Sequence, residues 1–311
     1  MKKSYFVSIL ACLILFSVCM IVGCGGNPTG GGGGGGGFSA DIYVSVTGSD
    51  DAGDGSLAHP FKTIQKGMNV AGSNEVIGVL AGTYTEEVTW NTQEANIKLI
   101  GISKSSVTID GDSTTRGVQI LTGMPTPQTI TIESLTIKNA VKSGPGAGIY
   151  LESADIKLHL KDLIIDNNAA SGSGGGLNAA NVTDTVIIEN CVFSNNTTST
   201  HGGAIYLQGP TLISGSDIKY NTAPTGAGGG LYLQDTATSE IIGTTFQYNS
   251  SSMTGGGGIF SAGGQLTIES SFICFNSSST NNGGGIKIFT SSNTTMVNTT
   301  TFESNWSNTG G

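Results

Sequence analysis

The stretch Gly202–Asn221, GGAIYLQGPTLISGSDIKYN, contains two signatures that recur along the second half of this 311-residue chain. The first is a run of small residues before a branched aliphatic residue, and these aliphatic positions lie 28, 28, 26, 28 and 27 residues apart. The second is an apolar residue, two spacers and an asparagine. The aliphatic anchors are Ile149, Leu177, Ile205, Leu231, Ile259 and Ile286, and the asparagines are Asn168, Asn196, Asn221, Asn249, Asn276 and Asn305.

A fixed period of this length predicts a solenoid, in which one supersecondary unit stacks on copies of itself. The apolar runs are too short for helices and predict about three strands per repeat, for example Ala204–Leu207, Thr211–Ser214 and Asp217–Lys219. Such units form a parallel β-helix with turns about 4.8 Å apart. We expect a glycine before each anchor to adopt a positive φ at a corner. We expect the asparagines to form a structural ladder and to tolerate left-handed turns.

Residues 41–145 lack the glycine triplets but are predicted to form an N-terminal cap and the first turns of the solenoid. A helix is predicted with Pro60 at its first position and with Phe61, Ile64, Met68 and Ala71 on its apolar face. It would cover the apolar end of the first turn. The predicted strands are Ile42–Val46, Val76–Leu80, Ile97–Ile100, Val107–Ile109, Val118–Leu121 and Ile130–Ile137.

The N-terminus has the pattern of an export signal. Lys2 and Lys3 precede an apolar stretch, residues 5–22, and Ile21-Val22-Gly23-Cys24 closes it. This tetrapeptide resembles the lipobox of bacterial lipoproteins, which implies that residues 1–23 are a signal peptide and that Cys24 carries the lipid. An uncleaved membrane span is the alternative. Because Gly25 rather than Asp follows the cysteine, the resemblance also implies sorting to the outer membrane and display at the cell surface.

A glycine-rich tether follows the cysteine, so that residues 24–40 would hold the folded part roughly 20–24 Å from the membrane. Removal of residues 1–23 changes the formal charge from −9 to −11, since it deletes two lysines and no acid. Arg116 is the only arginine. An acidic chain of this kind is a poor partner for phosphate backbones, and we expect no nucleic-acid binding.

Two resemblances make the fold expectation more specific. The stretch from Tyr43 to Asp50, followed by Gly55-Ser56 and by Pro60 to Lys66, resembles the opening module of bacterial right-handed β-helix proteins of the pectate-lyase-like superfold. Residues 146–311, with a repeat of about 27 residues, are similar to the polymorphic outer membrane proteins of chlamydiae. The resemblance implies an all-β, right-handed, single-stranded parallel β-helix. The chain stops at Gly311, where the next repeat is due, so we also expect a truncated C-terminus.

Resemblance to the superfold also implies what an enzyme would need. Its acid-sugar lyases use a lysine or arginine base beside carboxylates that hold Ca²⁺, and its hydrolases need paired Asp residues. Residues 146–311 contain no arginine and no Asp-Asp pair. The acidic run with Asp50, Asp51 and Asp54 is a weak candidate for Ca²⁺, because Ala52 occupies a ligand position. His201 is interpreted as a turn residue. We therefore name no catalytic residue, and we expect no cofactor other than this weak Ca²⁺ candidate.

The strand register predicts an outward aromatic column. If Ile205 and Leu207 point inward, Tyr206 points outward, and the equivalent residues of the other repeats join it. The predicted column is Tyr150, Asn178, Tyr206, Tyr232, Phe260 and Lys287. Its aromatic members, Tyr150, Tyr206, Tyr232 and Phe260, are the candidate binding surface for sugar rings or a protein. Stacking that only stabilises the sheet is the alternative.

The favoured functional hypothesis is a lipid-anchored adhesin or binding module whose partner is a polysaccharide or a surface protein of a host or neighbouring cell. The rival hypothesis is a carbohydrate-active enzyme, either a polysaccharide lyase or a glycoside hydrolase. A basic residue and two or more acids converging on neighbouring turns would favour the rival. Cys191 and Cys274 lie three turns apart, about 14 Å along the axis, so both are expected to be free.

Overall fold

The computed structural model describes residues 38–152, 155–180, 182–234, 238–252, 255–279, 283–289 and 295–308. Within them the chain forms a right-handed parallel β-solenoid with a single short helix. Each complete turn passes through four parallel sheets, which we number 1 to 4 in the order in which the repeats visit them. The predicted signal peptide, Cys24 and the tether up to Gly37 lie outside the described residues.

Sheet 1 contains the glycine-flanked anchors and has eight strands in the described part of the chain. They are Val88–Trp90, Val118–Ile120, Ile149–Leu151, Leu177–Ala179, Ile205–Gln208, Leu231–Gln234, Ile259–Ser261 and Ile286–Ile288. Sheet 2 has ten described strands. They are Ile42–Val44, Val76–Val79, Lys98–Gly101, Gln128–Glu133, Ile156–Lys161, Val186–Glu189, Thr211–Ser214, Thr238–Ile242, Gln265–Glu269 and Thr295–Asn298.

Sheet 3 carries the apolar residue of the second signature and has nine described strands. They are Gly82–Tyr84, Val107–Asp110, Thr136–Lys138, Ile164–Asp166, Val192–Ser194, Asp217–Lys219, Thr245–Gln247, Phe272–Cys274 and Thr301–Glu303. Sheet 4 follows the asparagines, and its seven described strands have two residues each. They are Val141–Lys142, Ala169–Ala170, Thr197–Thr198, Thr222–Ala223, Ser250–Ser251, Ser277–Ser278 and Trp306–Ser307.

The prediction of about three strands per repeat is therefore one strand short. The three strands predicted in the repeat of Ile205 are confirmed, as Ile205–Gln208, Thr211–Ser214 and Asp217–Lys219. The fourth strand, Thr222–Ala223, is too short to show an alternating apolar pattern. In the N-terminal part, the single predicted strand 130–137 is two strands, because Ser134 adopts a φ of 58° and turns the chain from sheet 2 to sheet 3.

The asparagine ladder is confirmed. Each side-chain amide donates from Nδ2 to Oδ1 of the asparagine one turn further on, at 2.9–3.0 Å. Each Nδ2 also donates to a backbone carbonyl of the preceding turn. The expected left-handed conformation belongs to the residue before the asparagine, such as Asn195 with a φ of 55°. Gly202, with a φ of 66°, confirms the predicted positive φ before the anchors.

A second buried ladder, of hydroxyl groups, lies between sheets 2 and 3. Its members Ser216, Thr244, Ser271 and Thr300 each accept a hydrogen bond from a backbone N–H of the preceding turn. Each hydroxyl donates to the carbonyl oxygen two residues before it. Cys191 occupies the same position one turn earlier, and its thiol donates to Glu189 O at 3.2 Å. Neither Cys191 nor Cys274 forms a disulfide, as expected, and both side chains are buried.

The capping helix, α1, spans Ile64–Val70 and begins later than predicted. Pro60 is not its first residue, because the backbone N–H of Phe61 donates to Tyr43 O and Phe61 forms a parallel bridge with Val44. Thr63 is the N-cap instead, and its hydroxyl accepts from Lys66 N at 3.1 Å. The buried face of α1 includes Ile64 and Met68, as expected. The described residues contain no helix long and apolar enough to cross a membrane.

Candidate binding surfaces

The predicted outward column of sheet 1 is in register in the structure. Tyr150 pairs with Asn178, Asn178 with Tyr206, Tyr206 with Tyr232, Tyr232 with Phe260, and Phe260 with Lys287. The neighbours of Tyr206 in its strand, Ile205 and Leu207, are buried in the core. The alternation of inward and outward side chains therefore places the candidate residues on one face, one per turn.

The rings of this column form a stack, which we call the sheet 1 stack. Tyr206 and Tyr232 lie 5.1 Å apart between centroids with an interplanar angle of 8°, and Tyr232 and Phe260 lie 4.9 Å apart at 10°. Phe260 is only 5% exposed, whereas both tyrosines are half-buried. Rings stacked along the solenoid axis cover each other's faces and turn their edges outward. A ligand would therefore meet mainly ring edges and the polar groups beside them.

Two glutamines lie beside the sheet 1 stack in a second outward row. Gln208 and Gln234 follow Tyr206 and Tyr232 by two residues, pair in register and are half-buried. Their amides supply both donors and acceptors. His201, interpreted from sequence as a turn residue, packs on Tyr232 with centroids 4.7 Å apart and accepts from Ala227 N through Nδ1 at 3.1 Å. Burial lowers the pKa of His201 below its ordinary value, which favours the neutral ring.

Tyr150 stands apart from the stack and joins a charged cluster that sequence reasoning did not find. The Arg116 guanidinium lies over the Tyr150 ring at 4.6 Å, and both Glu87 and Glu152 interact electrostatically with it. These residues lie on three successive turns. The structure thus brings together one basic residue and two acids, the feature that would favour an enzyme. It was missed because both acids lie outside the repeated signatures.

The hydrogen bonds of Arg116 show what this cluster does. Nε donates to Gly146 O at 2.8 Å, Nη2 to Pro145 O at 2.9 Å and Nη1 to Gln119 Oε1 at 3.0 Å. Arg116 is 7% exposed. Burial lowers its pKa, although the nearby Glu87 opposes that shift. All three guanidinium nitrogens donate to acceptors within the chain. The side chain therefore stabilises the turn at Pro145 and Gly146 and is poorly placed to act on a substrate.

A second aromatic stack, which we call the corner stack, lies at the turn between sheets 3 and 4. Tyr220 and Tyr248 are 5.1 Å apart at 2°, and Tyr248 and Phe275 are 5.1 Å apart at 13°. Tyr220 is 51% and Tyr248 44% exposed. All three residues have φ values of 54–58°, a left-handed conformation that is unfavourable for bulky side chains. The equivalent residues of earlier turns are Asn139, Asn167 and Asn195.

Sequence reasoning missed the corner stack because it treated the two spacers of the second signature as arbitrary. The signal is nevertheless visible, since an aromatic residue directly precedes the ladder asparagine in three successive repeats, Tyr220, Tyr248 and Phe275. Alternation along a strand does not identify these positions. They lie at a corner, where the side chain projects from a turn.

Two residues of the weak calcium candidate, Asp50 and Asp54, accept hydrogen bonds within the chain. Asp50 Oδ1 accepts from the backbone N–H groups of Lys62 and Thr63 at 2.8 and 3.0 Å, and Oδ2 accepts from Thr63 Oγ1 at 2.8 Å. Asp54 Oδ1 accepts from Ser56 N at 2.9 Å. Among the described residues there is no group of three or more His, Cys, Asp or Glu residues arranged to hold a metal ion. The Asp50 carboxylate thus stabilises the backbone that leads into α1.

These features define the class: a single parallel β-helix with stacked side-chain ladders. The family model for the right-handed β-helix region matches residues 116–302, and this chain belongs to that family. No curated protein matches the sequence. Pectate lyase Pel9A is 14% identical with a TM-score of 0.49, over 86% of this chain and 78% of that chain. A pectin methylesterase from carrot is 12% identical with a TM-score of 0.48, over 85% and 83%. At these sequence identities and TM-scores, the similarity gives no information about the activity of this chain.

Proposed function

We propose that this chain is a non-catalytic binding module for a repeating saccharide, displayed at the cell surface by a lipid on Cys24. One observation carries the binding proposal. The same pair of side chains, a tyrosine and a glutamine, recurs in register on two neighbouring turns, as Tyr206 with Gln208 and Tyr232 with Gln234. Aromatic edges beside carboxamides suit sugars, which present both C–H surfaces and hydroxyl groups.

The repetition of the tyrosine–glutamine pair on neighbouring turns favours a ligand whose own structure repeats. Equivalent groups recur on this surface at the turn spacing of about 4.8 Å. A ligand that repeats its own chemistry can use each turn in the same way, whereas a globular protein surface is irregular. A linear polysaccharide therefore suits the sheet 1 stack better than a protein partner. The arrangement of Arg116, with its nitrogens hydrogen-bonded inside the protein, gives no support to the rival lyase hypothesis.

Binding is tested on a glycan array with the folded protein, followed by titration calorimetry on the saccharides that bind. The expected result is selective binding to one class of linear polysaccharide. If the protein bound a protein partner but no saccharide on the array, the proposal would be contradicted. The membrane anchor needs its own experiment. A Cys24→Ala variant should leave the membrane fraction, and if it remained there with unchanged mobility, residues 5–22 would be an uncleaved span.

A further inference from the structure

The aromatic column of sheet 1 is interrupted at a single position between two tyrosines. Asn178 pairs in register with Tyr150 on one side and with Tyr206 on the other. The two tyrosines are therefore two turns apart, about 10 Å along the axis, which is twice the spacing between stacked rings. An asparagine has no aromatic ring, so the row of rings is interrupted at this turn, and the Asn178 side chain itself is buried.

The Asn178 amide is incompletely satisfied. Its Nδ2 donates to Ser173 O at 2.9 Å, but its Oδ1 is buried and has no hydrogen-bond partner. The residue is 2% exposed. A buried acceptor without a donor is unfavourable. The ladder amides are satisfied, since Asn196 and Asn221 both donate and accept. The other buried side-chain atoms without a partner among the described residues are Trp90 Nε1, Ser251 Oγ and Ser278 Oγ, so Asn178 has the one such amide. The Asn178 oxygen is thus an exception that calls for a donor from outside the chain.

The surroundings of this oxygen indicate the chemistry of the donor. Half-buried Tyr150 and Tyr206 lie on either side of this turn, so a sugar ring between them would face one tyrosine on each side. Glu152, two residues after Tyr150, lies near this position, and the chain carries a formal charge of −9. Arg116 lies over the Tyr150 ring and Lys142 pairs with Glu87, but the acidic chain as a whole disfavours anionic ligands. A neutral sugar supplies the required hydroxyl donor without that penalty.

We propose that Asn178, Tyr150 and Tyr206 form a subsite for one pyranose unit of a neutral polysaccharide, with a ligand hydroxyl donating to Asn178 Oδ1. This inference rests on the proposed saccharide-binding function and deepens it. The sugar ring enters by parting the two tyrosine side chains and takes the place in the column that an aromatic residue occupies in later turns. Asn178 thereby sets the position of the polysaccharide along the solenoid.

The test uses titration calorimetry with two probes, a neutral β-linked glucose hexasaccharide and a hexagalacturonate, on the full chain. Asn178→Tyr places a ring at this turn, and Asn178→Leu keeps the size of the side chain but removes the acceptor. We expect each variant to bind the neutral probe at least about tenfold more weakly than the unmodified chain. Lys157→Leu, on the outer face of sheet 2 and away from this column, is the control and should bind normally. Thermal melting of each variant confirms that it is folded.

The outcomes separate this inference from the function on which it rests. If the unmodified chain binds the neutral probe and both Asn178 variants bind equally well, the subsite is wrong while the saccharide-binding function stands. Preference for hexagalacturonate would overturn the neutral ligand class. If the unmodified chain binds neither probe, and no saccharide on the array, both proposals fail. Asn178→Leu keeps the test informative should Asn178→Tyr not fold.

Discussion

Asn196 Nδ2 donates to Asn221 Oδ1 at 3.0 Å, and the same oxygen accepts from the backbone N–H of Asn196 at 2.9 Å. Asn221 then repeats both contacts with Asn249. One side chain thus serves two turns at once, as a donor to the next and an acceptor from the last. Because both asparagines are fully buried, no water can replace a lost partner.

The ladder predicts a large cost for interrupting it. Asn221→Leu should reduce the free energy of unfolding by about 3 kcal/mol or more, because it strands buried polar groups of Asn196 and Asn249. Asn190→Gly is the control, since the same corner holds Gly215 and Gly243 in the next turns, and it should change stability little. Chemical denaturation measures both. If Asn221→Leu were as stable as the Asn190→Gly control, the ladder asparagines would contribute nothing beyond packing.

The sheet 1 stack gives a prediction about binding. Replacing Tyr206 and Tyr232 by serine should abolish saccharide binding, and loss of the stacking contacts should also lower the stability by roughly 1–3 kcal/mol. Array binding and thermal melting are measured together. The matched control is Tyr220→Asn with Tyr248→Asn, which removes two stacked tyrosines from the corner stack. If the control loses binding and the sheet 1 variant keeps it, the binding surface is the corner stack.

The corner stack gives a prediction about strain. Tyr248→Asn should leave the stability within about 1 kcal/mol of the original, because relief of the left-handed backbone offsets the lost ring contacts. Asn195 occupies the equivalent position two turns earlier with nearly the same φ. Tyr248→Val loses the same contacts and adds a β-branched side chain at positive φ, so it should be clearly less stable. If denaturation curves showed Tyr248→Val to be more stable than Tyr248→Asn, the strain argument would be refuted.

The buried thiol of Cys191 should be unreactive. Burial raises its pKa to about 12, so the thiolate is scarce at pH 8, and the side chain has no route to solvent. Iodoacetamide should leave Cys191 unmodified in the native protein and modify it after denaturation. Peptide-level mass spectrometry distinguishes it from the other cysteines. Rapid native labelling would place Cys191 outside the hydroxyl ladder.

The hydrogen bonds of Asp50 predict that the stability of the N-terminal cap falls in acid. Partial burial raises the pKa of its carboxyl, but hydrogen bonds from Thr63 and Lys62 outweigh this and hold it below the ordinary 3.8. Because the folded-state pKa is the lower one, the stabilisation is present above pH 3.8 and is lost as the pH falls through the folded-state value. Asp50→Ala should destabilise the protein by about 1 kcal/mol at pH 7, and progressively less as the pH falls below 3.8. Asp51→Ala, at an exposed position, is the control for melting curves across pH.

The sequence predicted the features that a periodic apolar or asparagine pattern marks, and missed those that leave no such pattern. Anchors such as Ile205 and ladder residues such as Asn221 recur with a period, so the solenoid, its register and the outward column followed from them. Sheet 4 was missed because strands such as Ser250–Ser251 have no apolar pattern. The start of α1 was misplaced because Phe61 pairs with Val44, a tertiary contact that local helix signals do not contain. The Arg116 cluster depends on side chains about 30 residues apart.

The four-sheet turn also determines how such a chain can change in length. Its ladders join each turn only to the two beside it, so a turn can be removed or duplicated wherever the cut falls at equivalent positions of two repeats. The repeat between Asn196 and Asn221 is 25 residues long, whereas that between Asn221 and Asn249 is 28, and both preserve the ladder contacts. A gene encoding this fold can therefore gain or lose length in units of one turn and still encode a continuous core.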